Sequence, residues 1–507
     1  MNDQVTSLIQ LMSNRPSGSV IDNDLKTACE QFASATTDQK GELLDAIRNN
    51  KSSINDEVVN FVLSFLTRIE PINAEAIISS EKIVDFYFSI DEKHPALQQL
   101  LILLIRQGTD CDLKSFARLI AERPPSKCET ALPAFALLMQ RPTFQYNLLF
   151  PRILDGLQHP SAAAPILDLA NFLVRQEIVD VHPAADRAAN LTVILGQLAG
   201  NLGKYEDEIK GGSKPSRELA LQVSESIALT ISLCDALALM DAKEAIGKLY
   251  QVLELSHRRL RVEAAAALIR LEEPDPAIET VQELAADPTI RNRVVAYATE
   301  LHILDKIDEK FRTPEALAEA DLVALLTESS HFGFPPASCE LIDARKQHWP
   351  GFDEVVDCFL FRFTYPMEHG DFQNIGIAGP LTRCVSVDLK PLDFDDIYAL
   401  FAGWSAEHED IFQIQIDEEN DGQQTEIARH LRRLSDLGHE NVTSLFLGSF
   451  FGERSLIAST TRGDETGHVV INNESDSWYP ERRFPFRTFP ENIYDLYKGQ
   501  KLLRSFN

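Results

Sequence analysis

Between about residues 24 and 328, apolar side chains recur three and four positions apart in block after block, the spacing that lines one face of an α-helix. DEVVNFVLSFLTRI (56–69), HPALQQLLILLIRQ (94–107), DLKSFARLIAER (112–123), ETALPAFALLMQ (129–140), NLLFPRILDGLQ (147–158) and AAAPILDLANFLVRQ (162–176) all carry it. Prolines 71, 95, 124, 125, 142, 160 and 183 fall between blocks, where a residue without an N–H ends one helix and opens the next. Helices of this length joined by short turns are what a stack of helical hairpins requires. KYEDEIKGGSKPSRE (204–218) interrupts the series: Gly211, Gly212, Ser213 and Pro215 among charges predict an exposed loop between helices over 184–203 and 216–240. The helical pattern resumes at SIALTISLCDALALM (226–240) and EAIGKLYQVLEL (244–255).

After about residue 330 the period shortens. VVDCFLFRFTY (355–365), RCVSVDLK (383–390), DIFQIQID (410–417), TSLFLGSFFG (443–452) and GHVVINN (467–473) are short β-branched or aromatic runs bounded by Gly, Pro, Asn and Asp. Helical stretches at 393–408 and 425–438 lie among them, and the acidic run 417–422 reads as a solvated turn. The expected fold class is mainly α: an irregular solenoid of stacked hairpins over 1–330, then a smaller α+β domain over 340–507 with a mostly antiparallel sheet. The segment 335–354 reads as a connector or hinge.

HRRLRVEAAAALIRL (257–271) and TIRNRVVAYATELHIL (289–304) repeat one pattern, and Arg261-Val262 lines up with Arg293-Val294 at a period of 32 residues. Over 244–304 the chain resembles the short HEAT-like repeats of the phycobilin-lyase class. The matching positions are Arg261, Val262, Ala264, Ala266, Ala267 and Leu268, then Asp287, Pro288, Arg293, Val294, Ala296, Ala298 and Leu301. The resemblance implies a ladder in which an aspartate in the inter-helix turn pairs with an arginine six residues later, a role that falls to Asp287 and Arg293. The preceding repeat departs from it, with Leu255 where Asp287 stands.

Composition narrows the function classes. The 507-residue chain carries 48 Lys+Arg against 77 Asp+Glu, a formal charge of −29, which disfavours nucleic-acid backbones and anionic membranes as partners. Seven scattered cysteines without a C-x-x-C pair suit a reducing compartment, with Cys29, Cys234 and Cys358 as small buried hydrophobes. The N-terminus has no export signal, and 98–107 is too short to span a bilayer, so a cytoplasmic protein is expected.

Candidate chemistry is sparse. HEAT-repeat enzymes such as deoxyhypusine hydroxylase hold iron on His-Glu pairs, but the equivalent positions here are Val262-Glu263 and Val294-Val295, and valine ligates nothing. His408-Glu409 and His439-Glu440 lie outside the repeats, and Glu407, His408, Glu409 and Asp410 after Trp404 also read as a polar helix terminus. NIGIAGPLTR (374–383) lacks a phosphate-loop spacing and reads as a tight strand connection, and Cys358 and Cys384 have no activating histidine beside them. On an acidic chain the basic cluster at 257–261, followed by Arg291 and Arg293, stands out: Arg258, Arg259 and Arg291 are candidates for gripping a protein or acidic peptide, Arg261 and Arg293 for serving the ladder. The expectation is a non-catalytic interaction scaffold without cofactor or metal. The alternative is an enzyme or a metal or small-molecule binder with its site in the C-terminal domain, near Trp404 and His408; a bilin-type lyase ranks third.

Overall fold

The computed structural model describes residues 3–14, 23–68, 77–141, 144–212, 216–367, 370–385, 388–406, 411–450, 452–483, 489–494 and 496–498. Its helices are α1 (Asp3–Ser13), α2 (Asn23–Phe32), α3 (Thr37–Asn49), α4 (Asp56–Leu66), α5 (Ser80–Ser89), α6 (Ala96–Gln107), α7 (Asp110–Glu122), α8 (Cys128–Gln140) and α9 (Pro160–Arg175). They continue with α10 (Ala188–Lys210), α11 (Arg217–Leu239), α12 (Ile246–Leu253), α13 (Arg258–Arg270), α14 (Ala277–Ala285), α15 (Arg291–Glu300) and α16 (Pro314–Thr327). The local chemistry sets the ends. Thr36 with Gln39 and Thr109 with Asp112 form reciprocal capping boxes at α3 and α7, and Gly108 ends α6 in the left-handed region at φ 64°.

The chain divides into two compact units, Met1–Thr280 and Val281–Asn507. In the first, helices pack on their next-but-one neighbours: α1 on α3, α3 on α5, α5 on α7, and likewise α2 on α4, α4 on α6 and α6 on α8. The succession α8, α9, α11, α13 carries it on. Arginines stitch neighbouring hairpins by donating to carbonyls that a helix end leaves without an intrahelical partner. Arg106 donates to the Thr67 carbonyl, 39 residues away, at 2.5 Å. Arg123 donates to the carbonyls of Tyr87, Phe88 and Ile90, and Arg187 to that of Leu154 at 2.6 Å.

The second unit contains α15, α16 and two antiparallel sheets. β1 (Ser338–Gln347), β2 (Val356–Tyr365), β3 (Phe372–Ala378) and β4 (Arg383–Cys384) form the first in sequence order. After α17 (Phe394–Ser405) come β5 (Ile411–Ile414), then α18 (Asp421–Asp436), β6 (His439–Phe450), β7 (Glu453–Arg462), β8 (Glu465–Ile471) and β9 (Asp476–Pro480), the second sheet again in sequence order. Strand alternation sorts the side chains. Phe359, Phe361, Phe363 and Tyr365 of β2 meet Ala318, Leu322 and Leu326 of α16. Cys358 and Leu360 face the opposite way, into a cluster with Ile397, Tyr398 and Phe401 of α17 and with Phe446, Phe450, Ile457 and Val470 of the second sheet. The far face of that sheet, through Leu447, Leu456, Ala458 and Val469, packs on Ile427 and Leu434 of α18. Helix and sheet layers alternate through this unit.

The structure departs from the sequence expectations in several places. The helix expected over 147–158 is two short 3-10 turns, Tyr146–Leu148 and Arg152–Gln158. Pro151 removes an N–H, and Gly156 sits so close to Ile120 that a Cβ would lie 2.9 Å from its carbonyl. α10 runs to Lys210, through the first half of the segment read as a loop, because Lys204, Glu206, Glu208 and Lys210 are good helix formers. The connector 335–354 holds β1, and the glycine-bearing stretch 374–383 holds the end of β3. The first strand begins at Ser338, yet the compact units part at 280/281, because α16 gives its apolar face to the first sheet.

Candidate functional site

The arginines singled out by the repeat do not share one exposed edge. Arg291 is 4% exposed, which overturns its reading as a contact residue. Its guanidinium donates to the carbonyls of Ala285 at 2.9 Å and Ala316 at 2.8 Å and pairs with Glu319 at 2.6 Å. A side chain that closes two helix ends and holds a carboxylate is committed to the fold. Arg259 is half-buried and pairs at 3.2 Å with Glu263, itself buried, while Arg258 is exposed. His257 caps α13, its Nδ1 accepting from the Leu260 amide at 3.4 Å, and the amides of Ser256 and His257 donate to Glu206. Asp287 accepts from the Thr289 amide and hydroxyl within its own turn, and Arg293 lies over the Tyr297 ring at 5.5 Å.

A polar network joins α9, α11 and α13. Asp235 of α11 accepts from Arg175 of α9 at 3.1 and 2.5 Å and from Arg270 of α13 at 3.4 Å. Nearby, Asn171 donates to the Ser232 carbonyl at 3.1 Å. The His182 Nδ1 accepts from the Ala184 amide, so Nε2 carries the proton toward Asn171 Oδ1 at 3.0 Å. Burial pushes His182 down to about 4 against the opposing pull of Asp235. Desolvation by its neighbours likewise raises the Asp168 carboxyl, although the residue keeps an exposed edge, with Ser232 opposing and Asp235 and Glu263 adding to it. These groups are saturated by one another, and their role is to fix helix against helix.

The C-terminal chemistry is equally inward-looking. His439 of β6 is buried against Trp478 at 5.0 Å, with neither ring nitrogen hydrogen-bonded. The Glu440 carbonyl accepts from the Thr460 hydroxyl at 2.7 Å. Glu407, His408, Glu409 and Asp410 lie outside the described residues; Trp404 stacks under Arg383 at 4.8 Å. Gly376 lets Leu322 of α16 seat on the sheet, since a Cβ there would lie 2.8 Å from its methyl, and Gly379 turns the chain at φ 122°. Cys29, Cys234 and Cys358 are buried, and burial pushes the Cys358 thiol up to about 11. Among the described residues no three His, Cys, Asp or Glu side chains are grouped to hold a metal ion.

What remains open is a trough of about 550 Å3 in the helical unit, between the start of α9 and the pair α10 and α11. Leu157, Pro160, Ala163, Leu167, Leu191, Ile194, Leu198, Leu229 and Leu233 make it apolar, with Gln158, Gln222, Glu225 and Ser226 at its polar margin. Elsewhere on the same helices Val193 is 57% and Leu221 56% exposed. α10 and α11, at 23 residues each, outrun the other helices of the unit, and the first turns of α11, from Arg217 to Gln222, are exposed. The C-terminal half of α11 is core, through Leu233, Cys234, Ala236 and Leu237; its N-terminal half carries the exposed Leu219 and Leu221. By length and composition alone α11 is long and apolar enough to cross a membrane.

Comparisons with family models, with curated proteins and with solved structures found no match.

Proposed function

We propose that the chain is a non-catalytic protein–protein interaction scaffold, its helical part a HEAT-like α-solenoid and its partner site the trough between α9, α10 and α11. The solenoid reading is supported by the next-but-one packing of helices and by arginine links that each span 33–39 residues, close to the 32-residue sequence period. The observation that carries the partner site is the trough itself, an apolar hollow open to solvent between helices. The acidic-partner reading, by contrast, loses support, because Arg291 is buried and Arg259 is paired with Glu263.

The test is affinity capture from the native cell with the full chain and two surface variants. Gln222→Trp fills the trough from its exposed margin, and Arg258→Glu reverses the exposed basic position. A partner lost with Gln222→Trp and kept with Arg258→Glu is the expected result. A partner indifferent to Gln222→Trp would remove the trough from the account.

A further inference from the structure

Resting on that scaffold reading, we infer that the trough takes an amphipathic α-helix whose apolar face is flanked by Lys or Arg. Three properties of the trough select this occupant over others. Its walls are helices, whose backbone groups are already paired, so an extended peptide laid there would bring N–H and C=O groups into an apolar surface with no edge to receive them. A helix brings none. The lining spans Leu191 to Leu198 on α10 and Gln222 to Leu233 on α11. At 1.5 Å per residue that is roughly 10–17 Å, two to three helical turns, which fits anchors at i, i+3 or i+4, and i+7.

The charge at the margin sets the flank. Glu225 is the one charged residue among the lining side chains. Glu218, Gln222, Glu225 and Leu229 follow one another at i, i+4, i+7 and i+11, so the acidic positions share the α11 face that borders the trough, and both glutamates are exposed. Cys128, at the start of neighbouring α8, reports the same field. After burial, the influences that push its thiol up to about 11 are Glu225, Asp168 and Glu129, all acidic. An acidic edge along α11 beside an apolar floor attracts a cationic flank and repels an anionic one, most strongly at low salt.

The experiment uses the full-length protein and two synthetic fluorescent helical peptides with identical Leu/Ile anchors, one flanked by lysines and one by glutamates. Anisotropy titrations at low and high salt give Kd for the wild type, Glu225→Lys, Leu198→Glu and Gln222→Trp, with circular dichroism confirming that each variant is folded. Neutral phosphatidylcholine vesicles and sedimentation of the protein alone complete the set. The wild type is expected to bind the lysine peptide roughly tenfold or more tightly than the glutamate peptide at low salt. That ratio should shrink in salt and fall with Glu225→Lys, while Leu198→Glu and Gln222→Trp abolish binding of both.

Equal affinity for the two peptides would overturn the basic-flank inference and leave the partner trough standing. Lysine-peptide binding that survives both Leu198→Glu and Gln222→Trp would place it elsewhere on an acidic protein and overturn the inference. Failure of both peptides, with vesicle binding or self-association that Gln222→Trp abolishes, would assign the trough to a bilayer or a second copy instead.

Discussion

The two units hold themselves together by different means. In the helical unit the links between elements are polar and placed at helix ends: Arg106, Arg123 and Arg187 close exposed carbonyls, and Asp235 ties α9 to α13 through two arginines. The sheet-bearing unit has such links too, as Arg291 to the Ala285 and Ala316 carbonyls and Glu319, but apolar close packing dominates between its layers. Phe332 stacks on Tyr365 at 4.1 Å, and glycines such as Gly376 and Gly379 allow backbone and side chains to approach where a Cβ would not fit. Each of the three arginine links spans about one hairpin. Apolar layers close on themselves. Exposed apolar side chains occur in both units, but the apolar trough lies in the helical unit, where we place the partner.

The contrast is sharpest where a single atom decides. Gly379→Ala puts a Cβ 2.3 Å from the Asp357 carbonyl at a φ of 122°, with backbone on both sides and nothing able to give. We expect a loss of about 4 kcal/mol or more, read as a large fall in Tm. A small change would mean that the glycines of the first sheet are incidental.

Asp235→Ala acts on the helical unit by leaving Arg175 and Arg270 without their shared carboxylate in a mostly buried site. The expected cost is about 2–4 kcal/mol by denaturant titration. Restoring length with Asp235→Asn should recover only part of it, since the charge of the pair is still missing.

Two buried histidines make the subtlest comparison. His182 has both ring nitrogens hydrogen-bonded, and His439 has neither. His182→Leu should cost about 1–3 kcal/mol by stranding the Ala184 amide and Asn171, whereas His439→Leu should be near neutral. The pH dependence has a definite sign. The folded pKa of His182 lies near 4, below its unfolded value of 6.5, so the unfolded chain binds the proton first. Its contribution is complete above about pH 6.5 and is lost as pH falls toward 4, on the order of 3 kcal/mol in all. A wild-type stability curve that stays level across that window, or is unchanged by His182→Leu, would contradict the assignment.

How much of this the sequence made legible also differs between the units. The helical periodicity is explicit in α4, α6, α7, α8 and α9, where apolar stripes and bounding prolines agree. The strands of the second unit were read only where the run is apolar, as in β2. β1, SCELIDARKQ, is an edge strand whose charges keep it soluble and make it look like a connector. β3 hides behind Gly376, which packs against a helix that sequence alone does not place on the sheet. At the candidate site, the arginines were visible as a repeat, but which of them is buried depends on Glu319 and Ala316, residues 28 and 25 positions away. The trough was not legible because it is made by what α10 and α11 lack, a covering neighbour.

Hydrogen–deuterium exchange of the full-length protein, with and without the lysine-flanked helical peptide at saturation, tests the central claim most directly. Protection confined to residues 157–167, 191–198 and 222–233 is the predicted result. Protection centred on the exposed basic turn at 257–259, with those three segments unchanged, would contradict it.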